Sequence, residues 1–317
     1  MLSRVADALF WMSRYLERAE QVARLLDVGF HLELDLSGVA AGPSELHWSS
    51  LLAILQTSIG PQPPSEHGPA GAIVRWLTFD LENQSSILCC VNRARNNARS
   101  IRGSISPGMW RELNKLYLQL RDPDFEQQAH ESPHDFYQAV QVGSHLFQGV
   151  CDATMPRDEG WQFIQLGKFL ERADKVLRIL QVKWQLLHDL SGQADLPMAN
   201  LHWAAVLRGC LAYEAYQRVT ISRVDPKGAL EFLLLQSRFP RSVRFSLEQA
   251  AQSLAQIEGN SSERESEADR ILGRVLSELR YCDLSQFGAD GVPRFLEMIL
   301  ARCTDIGRAV QGQYSLR

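Results

Sequence analysis

The chain has 317 residues, of which 45% are apolar and 22% charged, so it can bury a core and is not a disordered polymer. The length suits one large domain or two of about 150 residues each. A formal net charge of −4 and a pI near 6.1 provide no global basic field, so no nucleic-acid partner is expected.

No apolar run approaches the ~18 residues that cross a bilayer, so no membrane partner is expected either. Arg4, Asp7 and Arg14 interrupt any candidate signal-peptide core at the start. The six cysteines, Cys89, Cys90, Cys151, Cys210, Cys282 and Cys303, form no C-x-x-C pair and no zinc-like spacing. They read as reduced, buried thiols of a cytoplasmic protein. The basic residues are unusual: 28 are Arg and 5 are Lys. Arg makes planar, bidentate contacts and tolerates partial burial better than Lys does.

The first element is a long helix. Val5, Leu9, Met12, Leu16, Ala19, Ala23, Leu26 and Phe30 alternate steps of four and three, which draws a packing seam along one face. Helices are then predicted over 44–57, 71–80, 84–103, 107–121 and 133–153. Ser106-Pro107 and Ser132-Pro133 each place an N-cap serine before a proline in the first turn. A second long helix carries the same seam through Phe163, Leu166, Leu170, Ala173, Leu177, Leu180, Trp184 and Leu187. Helices over 199–219, 226–236, 240–257, 262–281 and 291–312 complete the chain, with Asp225-Pro226 as another start signal. Gly60 to Gly71, Gly192 to Pro197 and Gly259 to Ser262 read as breaks. Strand signals are nearly absent, and the expected class is all-α.

Segments of the chain repeat. Residues 15–28, Tyr-Leu-Glu-Arg-Ala-Glu-Gln-Val-Ala-Arg-Leu-Leu-Asp-Val, return at 169–182 as Phe-Leu-Glu-Arg-Ala-Asp-Lys-Val-Leu-Arg-Ile-Leu-Gln-Val. Leu46-His47-Trp48 matches Leu201-His202-Trp203, and Ser85-Ser86-Ile87 more weakly matches Arg241-Ser242-Val243. The matches are collinear and nearly constant in offset. They imply an internal duplication: two homologous helical-bundle halves, 1–156 and 157–317, related by a pseudo-two-fold axis.

The repeated charges are Arg14, Glu17, Arg18 and Glu20 in the first half and Lys168, Glu171, Arg172 and Asp174 in the second. They lie off the apolar seam, yet among Phe10, Trp11, Tyr15 and Phe169, so they are expected to be partly buried and to need partners. Two readings stand side by side: an ion-pair latch that docks the halves, or a binding cleft shared between them. His47 and His202, each beside a Trp, are either hydrogen-bonded core histidines or contacts of that cleft. Arg95, Arg99 and Arg102 form a stripe on one helix, and Arg238, Arg241 and Arg244 stand near the corresponding helix start. Arg95, Arg99, Arg102 and Arg241 are candidate contacts for an anion or a partner. A helical di-iron site needs paired Glu-x-x-His motifs, and only Glu131-x-x-His134 fits the spacing, across a helix start. No metal is expected. Walker A and G-x-G-x-x-G loops are both missing, and no cofactor is expected.

The opening Met-Leu-Ser-Arg-Val-Ala-Asp-Ala-Leu-Phe-Trp-Met-Ser-Arg-Tyr-Leu-Glu-Arg-Ala-Glu resembles the bacterial alpha-E family, named for an α-helical domain with a Glu-Arg motif. The resemblance runs on through Asn97-Ala98-Arg99, Thr154-Met155-Pro156-Arg157, Gly160-Trp161, residues 167–174, Tyr213-Glu214-Ala215-Tyr216 and residues 239–243. Asn96 departs from the Glu expected there. The two halves are thus identified as a first and a second alpha-E repeat. The resemblance implies a partnership with a circularly permuted ATP-grasp ligase, accompanied by a transglutaminase-like peptidase and a proteasome-like peptidase. The implied setting is amide-bond formation, in peptide synthesis or peptide modification, in the cytoplasm. Within it the chain is expected to be a non-catalytic helical partner or scaffold. The alternative is an enzyme acting on the ligase's peptide substrate or product with a Glu/His acid–base pair.

Overall fold

The computed structural model describes residues 1–37, 44–55, 70–190, 196–220, 223–259, 266–288 and 291–314, with the side chains at 36–37, 44–47, 70, 188–190 and 196–198 outside that description. Fourteen α-helices and no strand occur among the described residues. The chain divides into two compact units, Ala8–Ile164 and Gln165–Arg317 with Met1–Asp7.

In the first unit, α1 (Ser3–Ser37), of 35 residues, is followed by α2 (Ser44–Leu55), α3 (Ala70–Thr78), α4 (Ile87–Ser100), α5 (Pro107–Leu120), α6 (Pro123–Glu131) and α7 (Pro133–Thr154). The seam of α1 is its buried face: Leu9, Met12, Ala19, Ala23 and Leu26 are sealed from water. An aromatic chain ties α2, α6, α7 and the end of α3 to it. Phe30 meets Trp48 edge-on at 5.3 Å and stacks on Tyr137 at 6.1 Å, and Phe136 beside Tyr137 meets Phe79 and Phe125. The Tyr137 hydroxyl lies 3.0 Å from Thr78 Oγ1, which satisfies a polar tip inside the core.

The second unit starts within α8 (Glu159–Leu190), a 32-residue helix. It continues through α9 (Leu196–Gly209), α10 (Tyr213–Val219), α11 (Pro226–Leu235), α12 (Val243–Glu258), α13 (Glu267–Arg280) and α14 (Gly291–Tyr314). Trp184 of α8 meets Trp203 of α9 edge-on at 5.9 Å, much as Phe30 near the end of α1 meets Trp48 of α2.

Caps account for the helix starts. Ser106, Asp225 and Ser266 accept from the backbone N–H three residues on. Ser86 accepts from Cys89 N at 3.1 Å, and Ser242 from Phe245 N at 3.1 Å. Each of these two hydroxyls also donates to the carbonyl six residues before it, Asp80 and Gln236 respectively. Hence the predicted starts at 84 and 240 move to 87 and 243: the cap serine, not the residues before it, sets the first turn.

Two expectations are corrected. Helix α6 was not anticipated, although Asp122-Pro123 is the same start signal as Asp225-Pro226, and Asp122 accepts from Asp124 N at 3.0 Å. Its short inward face, Ala129 with Phe125 against Phe136 at 4.7 Å, is too brief to show a period. The single helix expected over 199–219 is two. Helix α9 closes as Ala212 N–H bonds to Leu207 O and Leu211 N–H to Arg208 O, with Leu211 left-handed at φ 51°. Glycine fills that role at the end of α12, where Gly259 has φ 67°. Leu211 is 42% exposed, so it gives up little packing. Leu211→Gly is therefore expected to raise stability by about 1 kcal/mol, visible as a higher denaturant midpoint. A lower midpoint would mean that the leucine side chain outweighs its backbone strain.

All six cysteines are unbridged, five of them buried, as expected of small apolar groups.

Candidate functional site

The Glu-Arg motif of α1 is woven into its own unit. Glu17 and Glu20 are 1% and 0% exposed. Gln148 Nε2 of α7 donates to Glu17 Oε2 at 3.1 Å, and His145 Nε2 lies 3.3 Å from Glu20 Oε1. Arg24, itself buried, pairs with Glu20 one turn away. Arg14 lies over the rings of Phe10 and Trp11 at 5.5 and 5.0 Å, and Arg18 over Tyr15 at 5.7 Å.

The motif of α8 repeats these contacts. Arg172 lies over Phe169 at 5.3 Å, as Arg18 does over Tyr15, and donates to Pro240 O at 3.1 Å. Lys168 lies over the same ring at 4.6 Å. Asp174 bonds Arg178 at 2.9 Å, four residues on, as Glu20 does Arg24. Glu171 is fully buried, with Lys175 Nζ at 3.9 Å. Carboxylates removed from water need such neighbours, because an unpaired buried charge costs several kcal/mol. Both motifs thus carry structural contacts inside their own unit: that of α1 reaches α7, and that of α8 reaches Pro240 in the segment before α12.

The His-Trp pairs are core features as far as they are described. Trp48 and Trp203 are 2% and 1% exposed. The His47 side chain lies outside the described residues. His202 is half-buried, and burial together with the Lys183 charge pushes its imidazole down to about 4. Burial also lowers the Lys183 ammonium, to about 8. A general base works best when its pKa lies near the working pH, so a His202 this acidic is poorly suited to that role at neutral pH.

The arginine stripe of α4 is where the surface becomes distinctive. The helix expected over 84–103 ends at Ser100, so Arg102 stands in the short 3-10 turn Arg102–Ser104 just past α4, over Trp110 at 4.7 Å. Arg95 lies between Trp110, at 5.6 Å, and Tyr117, at 4.4 Å, and its Nε donates to Asn114 at 2.9 Å. Arg121 closes the series over Tyr117 at 5.9 Å. Cations and rings therefore alternate along α4 and α5, and Arg99 stands exposed beside them. A ring holds the face of each guanidinium; Arg95 spends its Nε on Asn114 and Arg121 one terminal nitrogen on the Tyr117 hydroxyl, 3.1 Å away, which leaves their remaining N–H groups for an anion. Arg241 differs from this set: it is 8% exposed at the start of α12, so it offers no open contact. Burial at the residue before a cap serine is the reason. Arg244 is spent on Glu248 at 3.0 Å.

One cluster was missed by sequence reasoning. Asp27 and His31, one turn apart on α1, meet His134 in the first turn of α7. His134 Nδ1 lies 2.8 Å from Asp27 Oδ1, His31 Nδ1 lies 3.6 Å from the same oxygen, and the two rings meet edge-on at 5.1 Å. The Asp27 hydrogen bond and charge raise the His134 pKa above the ordinary histidine value. The Asp-x-x-x-His spacing was visible, but the third member lies 107 positions away and only the packing of α7 on α1 brings it in.

These observations define an all-α protein whose two longest helices each carry an internalised Glu-Arg motif. The chain belongs to the Alpha-E family, described as a predicted alpha-helical domain with a conserved ER motif, whose sequence model matches residues 1–314. Among curated proteins it is similar to uncharacterized proteins of Mycobacterium bovis and Mycobacterium tuberculosis, at 25% identity over 316 residues. The match takes in 94% of this chain and 35% of each relative, so the chain spans about a third of the length of the curated relatives it matches. No solved structure matches. Among the described residues no helix is long and apolar enough to cross a membrane.

Proposed function

We propose that this chain is a non-catalytic helical partner of an ATP-grasp amide ligase, working in peptide synthesis or peptide modification in the cytoplasm. It is read as a duplicated module, since the Arg-over-ring, acid-to-Arg and serine-cap contacts recur at matching places in both units. The observation that carries the partner reading is the ladder of Arg102, Trp110, Arg95, Tyr117 and Arg121 along α4, the turn after it and α5 with its C-cap, a face suited to an acidic protein surface. The motif carboxylates, by contrast, are occupied inside their units. The relatives' greater length supports a module that works beside other domains.

The test is native mass spectrometry of the tagged chain drawn from its own lysate, followed by binding to the purified ligase. A stoichiometric ATP-grasp ligase is expected. Arg95→Ala with Trp110→Ala is expected to weaken its binding about tenfold or more, since central Arg and Trp contacts each contribute upwards of 1 kcal/mol. Binding unchanged in that double variant would remove the ladder from the interface. A lone chain that turns over a peptide substrate would overturn the reading and favour an enzyme.

A further inference from the structure

We propose that Asp27, His31 and His134 form a binding site for a borderline divalent metal ion of the zinc class. One donor atom from each residue falls within 4.8 Å of the other two. Four ligands about 2.05 Å from a tetrahedral zinc lie about 3.3 Å from one another. The Asp27 Oδ1 distances to the two Nδ1 atoms, 2.8 and 3.6 Å, bracket that edge. The 4.8 Å bound on the cluster lets small side-chain rotations bring the two nitrogens toward the same edge about one ion.

The chemistry of the set selects the metal. Two imidazoles and one carboxylate suit Zn²⁺, Co²⁺ or Ni²⁺, whereas Mg²⁺ and Ca²⁺ require shells of oxygen. Both histidine side chains are 54% exposed and the Asp27 side chain 14%, so an ion can enter from solvent and keep water in its fourth position. Gln141 Nε2 lies 3.5 Å from Asp27 Oδ2, on the oxygen turned away from His134, and steadies the carboxylate plane. Asp135, next to His134, adds a negative charge that offsets the positive end of the α7 dipole.

Each histidine must offer a neutral nitrogen lone pair. A proton on His134 Nδ1 therefore moves to Nε2 or to solvent as the ion binds. His31 Nδ1 also lies 2.9 Å from the Asp27 carbonyl, so ligation through that atom exchanges this contact for the ion. Bound there, the ion would pin the start of α7 to α1. The site differs from the helical di-iron pattern, since its ligands come from one turn of α1 and the first turn of α7.

The experiment uses the full chain, stripped with a chelator and titrated with zinc chloride by calorimetry and by competition against a chromophoric chelator. One zinc per chain is expected, with no binding of Mg²⁺ or Ca²⁺. Cobalt chloride is expected to give the visible bands of four-coordinate Co²⁺. His31→Ala and His134→Ala are each expected to weaken zinc binding about tenfold or more, with unchanged circular dichroism, because both side chains lie at the surface. Asp27→Asn retains the shape and should lose affinity likewise. Zinc uptake that persists unaltered in the His31→Ala/His134→Ala double variant overturns the assignment, as does a wild-type chain that takes up none.

Discussion

Replacing Arg24 with alanine is expected to destabilise the Ala8–Ile164 unit by about 3–5 kcal/mol. Arg24 and Glu20 form an ion pair whose side chains are 3% and 0% exposed. Removing the guanidinium takes the nearest buried cation from a carboxylate that water cannot reach. His145 Nε2, 3.3 Å from Glu20, is a weaker neighbour than Arg24, because its ring is 46% exposed and its field is screened. The expected fall in melting temperature is on the order of 10 °C for a unit of this size. Removing both charges together, as Glu20→Leu with Arg24→Met, should cost far less, because neither ion of this pair then stays buried without the other. A loss below about 1 kcal/mol in Arg24→Ala would show that the carboxylate is solvated once its partner leaves.

The second large effect is on the pH dependence of stability. Burial lowers the Lys183 ammonium from 10.5 to about 8. Between those values the unfolded chain binds the proton and the folded chain has released it, so stability rises with pH across that window. A displacement of about 2.5 pH units corresponds to about 3 kcal/mol. Below pH 8 the folded state bears the full cost of the buried charge, and above 10.5 it bears none. Lys183→Met removes the titration. The stability of wild type relative to that variant is expected to improve by up to about 3 kcal/mol between pH 7.5 and 10.5, measured by denaturant unfolding at each pH. A difference that stays flat would mean that the ammonium is not desolvated. Burial and the Lys183 charge likewise keep His202 neutral down to about pH 4.

The helices were legible in the sequence where one turn of chain carries the signal. The seams of α1 and α8, the proline starts of α5, α7 and α11, and the burial of the Glu-Arg motifs among aromatic residues could all be read from spacing. The break at Leu211 could not, because a leucine held at φ 51° violates its own preference and only the surrounding bonds hold it there. Helix α6 was lost for the opposite reason: its Asp-Pro signal was present, but its apolar face is too short to show a period.

The candidate sites divide along the same line. That Arg14, Glu17, Arg18 and their counterparts would be drawn inward followed from charges placed beside rings on an amphipathic helix. Which partner each would take did not follow. Gln148 reaches Glu17, His145 reaches Glu20 and Pro240 accepts from Arg172 across separations of 131, 125 and 68 residues. The stripe Arg95, Arg99 and Arg102 was visible as a spacing, while the rings of α5 that turn it into a ladder, and the burial that withdraws Arg241 from solvent, depend on packing. Asp27, His31 and His134 show the limit most clearly, since no local pattern joins them. Periodicity, caps and charge placement are written within a few residues, and they set the helices and the faces those helices bury. Which faces meet is settled only by close packing of whole helices, and a site built from two of them exists only once that packing is complete.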